Sequence, residues 1–303
     1  MSRPRGRAGA RLTRTTINTL TRPHRRPFGP RLSSRVRGRT VLITGASSGI
    51  GRGLALRLAG EGATVLVTAR RAAELDALCA EIASAGGMAH ALPADLATDD
   101  GIDALADRVL AEHGAPDVLV LNAGRSIRRS IARSERRLHD YERALRINYL
   151  GAVGLQLRLL PAMRERRSGH VVTSSSLGVQ GDLPRFSAYI ASKAALDAFT
   201  RIAAVECLAD GISFTTVHLP LVDTEMSGPT GWRGFRALSV DDAVDMLCEA
   251  IRRRPDHVGT MLGTAVTFGN TVTPGFSRQL LHGFHRAMPD SPAARGDRGG
   301  SDG

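Results

Sequence analysis

Tyr189 and Lys193 stand four residues apart. On a helix that spacing stacks two side chains on one face, one turn apart. An ammonium beside a phenol favours the phenolate and lowers the phenol from its usual pKa of about 10. The result is a proton donor and acceptor usable near neutral pH. Ser176, thirteen residues before Tyr189, closes a strand-like run that starts at Gly169; at a strand end its hydroxyl can bond the same substrate oxygen. The chain has 41 lysines plus arginines, and Lys193 is the single lysine among them. A compact ammonium reaches where a planar guanidinium does not fit. Tyr-x-x-x-Lys pairs recur in many helices, so this one gains meaning only beside a nucleotide site.

The elements upstream offer one. Thr40 to Thr44 is a β-branched run with the pattern of a buried parallel strand. It leads into Gly45-Ala46-Ser47-Ser48-Gly49-Ile50-Gly51, then a helical pattern from Leu54 to Ala59, then a second strand, Thr64 to Thr68. This is a βαβ unit with glycines at its first turn. Glycines let the backbone approach a pyrophosphate, and the helix N-terminus supplies N–H donors. At the end of the second strand an NAD site wants an acid for the ribose 2′-hydroxyl. Here stand Ala69, Arg70 and Arg71, with no acid before Glu74. Arg70 can pair with a 2′-phosphate, so NADP(H) is expected over NAD(H); the alternative is that both arginines merely open a solvated helix.

The rest of the chain continues the alternation. A helix over 72–85 is followed by a third strand over 89–96, with Asp95 at its C-terminal edge. A helix over 102–113 precedes the apolar strand Val118 to Leu121, which ends in Asn122-Ala123-Gly124. Asn148 falls in a helix, where asparagine is neither a good helix former nor a core residue. Residues 171–173 and 212–217 give two more strands around the Tyr189 helix. Strands alternating with helices imply an α/β, doubly wound parallel sheet. The arginines between 128 and 143 are expected mostly on a solvated helix and loop. The Gly/Pro-rich stretch 225–238, with Trp232 and Phe235, suits a substrate loop. Phe276, Leu280, Leu281, Phe284 and Met288 form a stripe for docking on the protein's own core or on a subunit.

Charge is distributed unevenly. The net charge is +12, yet residues 1–37 contain eleven arginines and no acid, and the first acid is Glu61. The protein is therefore a near-neutral domain with a basic, mostly disordered arm, and a nucleic-acid face is not expected. The arm is open to three readings: an organelle transit segment, a peripheral contact with anionic membrane, or a solvated tail. Three scattered cysteines fit a reducing cytoplasm and suit neither a disulfide framework nor a metal site. No apolar run is long enough to span a bilayer. The expected organisation is the arm over 1–37, one domain over 38–265, a helical extension over 266–290 and a disordered tail over 291–303.

Together, Thr44 to Gly51, Asp95, Asn122-Ala123-Gly124, Asn148, Ser176, Tyr189 and Lys193 resemble the short-chain dehydrogenase/reductase family. The resemblance implies a Rossmann sheet, usually of seven strands, in dimers or tetramers. It makes Tyr189 the catalytic acid/base, with Lys193 on the nicotinamide ribose and Ser176 on the substrate oxygen. Asn148 then supports a water relay to Lys193. It puts the dinucleotide on Gly45, Ser47, Ser48, Gly49, Ile50 and Gly51, with Asp95 and Leu96 at the adenine. Asn122, Ala123 and Gly124 line the cleft, and Val222 and Thr224 lie at the nicotinamide. The family's Pro-Gly after the sixth strand is replaced by Leu219-Pro220. A narrower set is similar to the branch that includes mycobacterial-type long-chain fatty acyl-CoA reductases: 122–130, 138–143, 218–222 and Met288 to Ser291. That implies an apolar carbonyl or alcohol substrate. An alcohol, sterol or keto-ester dehydrogenase and a non-catalytic NADP-binding protein remain the alternatives.

Overall fold

The computed structural model describes residues 29–227, 237–287 and 290. The first 28 residues of the basic arm, most of the 225–238 loop, Met288 and the tail from 291 lie outside the described residues. Seven strands form one parallel sheet in the order β3-β2-β1-β4-β5-β6-β7. They are β1 Thr40–Thr44, β2 Thr64–Thr68, β3 Met88–Ala91, β4 Val118–Leu121, β5 Gly169–Ser176, β6 Ile212–Leu219 and β7 His257–Val258. Parallel strands need crossovers, and the helices between them cover both faces. The order reverses between β1 and β4, so their C-terminal ends diverge into a crevice.

Side-chain alternation divides the core in two. Val41, Ile43, Val65 and Val67 point to one face, Leu42 and Leu66 to the other. The first face packs on α2 (Gly49–Gly60), α3 (Ala72–Ser84) and α9 (Val240–Arg253) through Leu54, Leu58, Leu75, Leu78, Val244 and Leu247. The second packs on α4 (Asp99–His113), α6 (Gly151–Glu165) and α8 (Ser187–Glu206) through Ile102, Leu105, Leu155, Leu159 and Leu196. Each such leucine or isoleucine, taken fully from water, contributes roughly 1.5–3 kcal/mol before the entropy of ordering it.

Two expected boundaries are corrected. Ser33–Val36 forms a short helix, α1, so the last residues of the expected arm belong to the domain. Val36 is fully buried, and Arg35 Nε donates to the Arg252 carbonyl (3.2 Å). The third strand ends at Ala91 rather than Leu96. Leu92 and Ala94 still donate to Val67 and Ala69 (2.9 and 3.0 Å), but Pro93 has no N–H with which to continue a ladder. In the arginine-rich stretch Arg133, Arg136 and Arg143 are exposed, and the other three are drawn inward. Arg128 is buried, and Arg129 and Arg137 converge on buried Asp140 (3.2 and 2.9 Å). The C-terminal extension is two helices, α10 (Met261–Val272) and α11 (Pro274–Ala287). Among the described residues of the stripe Leu281 and Phe284 are half-buried, and Phe276 and Leu280 are exposed.

α1 supplies a direct test of its membership of the core. Val36→Ala is expected to cost about 2 kcal/mol, read as a lower urea midpoint at unchanged slope. A shift below about 0.5 kcal/mol, the range of ordinary surface changes, would make residues 33–36 an appendage.

Candidate active site

The crevice between β1 and β4 is held by a small hydrogen-bond cross. Thr44 Oγ1 accepts from the N–H groups of Asn122 and Ala123 (both 2.9 Å) and reaches the Val120 carbonyl (3.2 Å). Asn122 Nδ2 returns to the carbonyls of Thr44 and Gly45 (3.1 and 3.3 Å). The glycine turn sits on this cross. Gly45 has φ +68°, and a Cβ there would lie 2.8 Å from the Ala123 Cα. A Cβ on Gly51 would come within 2.3 Å of the Gly45 carbonyl oxygen. Bare backbone therefore lines the turn by steric necessity. Ser48, the cap residue of α2, makes no side-chain cap bond, which leaves the first N–H groups of the helix to a ligand.

The remaining positions read for a dinucleotide gather at the same sheet edge. Asp95 Oδ1 accepts from Ala97 N (3.0 Å), and Leu96 is buried with its carbonyl against Gly151. Arg70 is exposed at the end of β2. Its neighbour Arg71 is the residue that reaches the glycine turn: Nη2 donates to Ser47 Oγ (3.1 Å) while Nη1 lies 3.4 Å from Glu74. After β6 the chain passes Leu219-Pro220 and bridges Val222 to Leu238. Thr224 then lies over the turn, its methyl 3.3 Å from where a Gly49 Cβ would be. The substitution of Leu219-Pro220 thus leaves Val222 and Thr224 at the crevice.

Ser176, Tyr189 and Lys193 meet where β5 ends and α8 begins. Ser176 Oγ caps the short helix α7 (Leu177–Gly181) by accepting from Gly178 N (3.1 Å), and its hydroxyl is near enough to Tyr189 to favour the phenolate. Lys193 is buried, and its Nζ donates to the Ser174 carbonyl (2.8 Å). Burial lowers the Lys193 amine to about 8, against the pull of Asp197. Burial also pushes the Tyr189 phenol up; the Ser176 hydroxyl opposes this and Asp197 adds to it. The expectation that Lys193 lowers the phenol is corrected here. Desolvation dominates, and the ammonium is engaged by a carbonyl.

Asn148 is fully buried, and its amide is fully used. Oδ1 accepts from Arg125 N (2.7 Å); Nδ2 donates to the Arg125 carbonyl (2.9 Å) and to Ser192 Oγ (2.8 Å). It stands in a π-helical turn, Arg146–Leu150, that joins α5 (Leu138–Leu145) to α6. The wider turn turns Asn148 inward, away from the path of a regular helix. A Cβ on Gly124 would sit 3.0 Å from Asn148 Oδ1 and 3.4 Å from Lys193 Nζ, so the three residues share one small space. Sequence reasoning missed Ser192 and Asp197, and it named Thr44 and Arg71 without the contacts they make. Asp197 Oδ2 lies 2.8 Å from His218 Nε2, one helical turn beyond Lys193. An acid four residues after a buried lysine was the available signal.

Among the described residues no cluster of three or more His, Cys, Asp or Glu side chains is placed to hold a metal, and no helix is long and apolar enough to cross a membrane. The family model described as short chain dehydrogenase matches residues 39–231. An uncharacterized oxidoreductase of Mycobacterium tuberculosis is 42% identical over 278 residues, 90% of this chain and 82% of that protein. A fatty acyl-CoA reductase of Acinetobacter baylyi is 42% identical over 264 residues, 87% of this chain and 90% of that one. A short-chain dehydrogenase from Sphingobium yanoikuyae, solved in complex with NADPH, superposes with a TM-score of 0.67 at 29% identity, covering 73% of this chain and 87% of that chain. Sequence likeness over nine-tenths of the chain, a seven-stranded sheet in the expected order and a Ser176–Tyr189–Lys193 cluster at its edge converge: this oxidoreductase belongs to the short-chain dehydrogenase/reductase family.

Proposed function

We propose that the protein is an NADPH-dependent carbonyl reductase acting on a long-chain fatty acyl-CoA or fatty aldehyde. The observation that carries the chemistry is the convergence of the Ser176 hydroxyl, which acts on the half-buried Tyr189 phenol, with Lys193 one turn further on the same helix face. The crevice fits a dinucleotide: Gly45 and Gly51 leave no room for a Cβ, and the N-terminus of α2 has no side-chain cap. Gly45 to Gly51, Asp95, Leu96, Asn122 to Gly124, Val222 and Thr224 would hold it. Bound there, the nicotinamide supplies the hydride.

The protein's own residues handle the oxygen and the proton. Ser176 Oγ orients the carbonyl oxygen toward Tyr189, and the phenol gives that oxygen its proton. A phenol held above its ordinary pKa is fully protonated at neutral pH, the state that reduction needs. Lys193, whose Nζ here donates to the Ser174 carbonyl, would hold the ribose hydroxyls, and Asn148 anchors the helix turn beside it. With a thioester, the first reduction gives a hemithioacetal that collapses to aldehyde and free thiol. The acyl substrate is supported by the Acinetobacter baylyi relative named for fatty acyl-CoA reduction. NADPH over NADH is supported by Arg70 and Arg71, with no acid at the end of β2. Exposed Leu157 on α6 with Ile202 and Val205 on α8 supports assembly into an oligomer through those helices.

Three measurements test this reading. Tyr189→Phe should lower NADPH oxidation with acyl-CoAs and aldehydes by about a thousandfold while NADPH still binds by calorimetry; retained turnover would remove Tyr189 as the acid. Arg71→Ala should raise the KM for NADPH about tenfold, the worth of one charge-assisted contact, and leave that for NADH unchanged. Equal effects on both would withdraw the 2′-phosphate assignment.

The third is pH dependence. The Lys193 amine is charged below about 8 and neutral above. Where its ammonium is needed, kcat/KM should fall about tenfold per pH unit above that point. Stability moves the other way. The folded pKa lies below the ordinary 10.5, so the unfolded chain binds more protons between the two values and this lysine's contribution to stability rises with pH across that window. A rate flat to pH 10 would dissociate the lysine charge from catalysis.

A further inference from the structure

Asp290 lies beyond the end of α11, at the last residue of the expected extension, yet its carboxylate is mostly buried and fully engaged. Oδ1 accepts from Ser130 N (2.9 Å) and pairs with Arg185 Nη1 (2.6 Å); Oδ2 accepts from Ser130 Oγ (3.0 Å) and faces Arg133 Nε (3.3 Å). Ser130 and Arg133 belong to the connection after β4. Arg185 belongs to the connection that leads into α8. One side chain from the C-terminal extension therefore joins the two loops that flank the reaction centre.

Arg185 is the unusual member. It is a non-glycine residue at φ +72°, a conformation that persists only where the surroundings impose it. The surroundings are these contacts. Its carbonyl accepts from Arg129 N (2.6 Å), its Nη2 donates to the His285 carbonyl (3.1 Å), and its Nη1 meets Asp290. The next residue, Phe186, caps α8; it is buried and accepts from Ile190 N (2.7 Å). Its ring meets Tyr189 edge-on, with centroids 6.5 Å apart. A cleft of about 920 Å³ runs along this junction, walled by Ile131, Leu183, Ile190 and Ala194 with Arg185 and Asp290.

We infer that Asp290 is a positioning residue for the reaction: through Arg185 and Phe186 it fixes the first turn of α8, and so the reach of Tyr189 toward Ser176. The inference rests on the reading of Tyr189 as the proton donor. Its path is short and continuous in space, from carboxylate to guanidinium to backbone to ring. The dinucleotide crevice contains none of these residues, so cofactor binding stands apart from the latch.

The test uses the full chain and compares Asp290→Asn, Asp290→Glu, Arg185→Gln and the double variant with Tyr189→Phe, by NADPH oxidation against decanal and palmitoyl-CoA. Asp290→Asn should lower kcat at least tenfold, with the NADPH dissociation constant within twofold of the parent. Asp290→Glu should recover part of that loss. The double variant should cost little more than either single one, because both remove the same contact. Unchanged kcat in Asp290→Asn beside a silent Tyr189→Phe would overturn the latch and leave the acid assignment standing; turnover by Tyr189→Phe would overturn the acid. Additive losses in the double variant would also refute the latch. If Asp290→Asn does not fold, Asp290→Glu against the double variant, which leaves no buried charge unpaired, makes the same comparison of kcat with NADPH affinity.

Discussion

Thr44 holds the architecture of the crevice together. Its hydroxyl takes two N–H groups from the end of β4, and Asn122 returns two bonds to the end of β1 and the glycine turn. Strands that diverge at a topological switch lose their mutual ladder at the point where a ligand must enter. Side-chain hydrogen bonds replace that ladder here. They satisfy backbone groups that would otherwise be stranded, and they fix how far Gly45 can move from Ala123. The bareness of the turn, the position of Thr224 over it and the approach of Arg71 to Ser47 all depend on that fixed frame.

Burial governs the electrostatics of the reaction centre more than pairing does. Both ionisable groups, Tyr189 and Lys193, are shifted toward their neutral forms. Opposed charges at the site would have pinned each other in one state. The phenol therefore meets an arriving oxygen in its protonated form, and the lysine titrates at about 8 while its amine holds the Ser174 carbonyl. Asp197 favours the charged lysine and disfavours the charged tyrosine, and its own bond to His218 keeps it directed there.

Much of the fold was legible because its signals are local. The β-branched runs marked β1, β2 and β4, and the glycine spacing marked the turn between β1 and α2. Features built by distant residues were not. The end of β3 depends on Pro93 beside Val67, and the membership of Val36 in the core depends on α9. At the site, Tyr189, Lys193 and Ser176 came from spacing, whereas the direction of the tyrosine shift required knowing how much water the fold excludes. Arg70 and Arg71 are neighbours in sequence but part at the strand end, and only backbone direction decides which one meets Ser47. Asp290 is 105 residues from Arg185 along the chain, a separation at which no periodicity operates.

The π turn at Arg146–Leu150 adds a constraint on how this chain can vary in length. It holds one residue more per turn than the helices on either side. α5 buries Asp140 and Ala144; α6 buries Leu155, Gln156 and Leu159. Losing a single residue there would restore a regular helix and rotate one half against the other by about 100°. Either the α5 face or the α6 face would then swing toward solvent, and Asn148 would leave its bonds to Arg125 and Ser192. The helix thus behaves as a reading frame: side chains along it can be exchanged, but its count of residues is fixed by the asparagine at its middle.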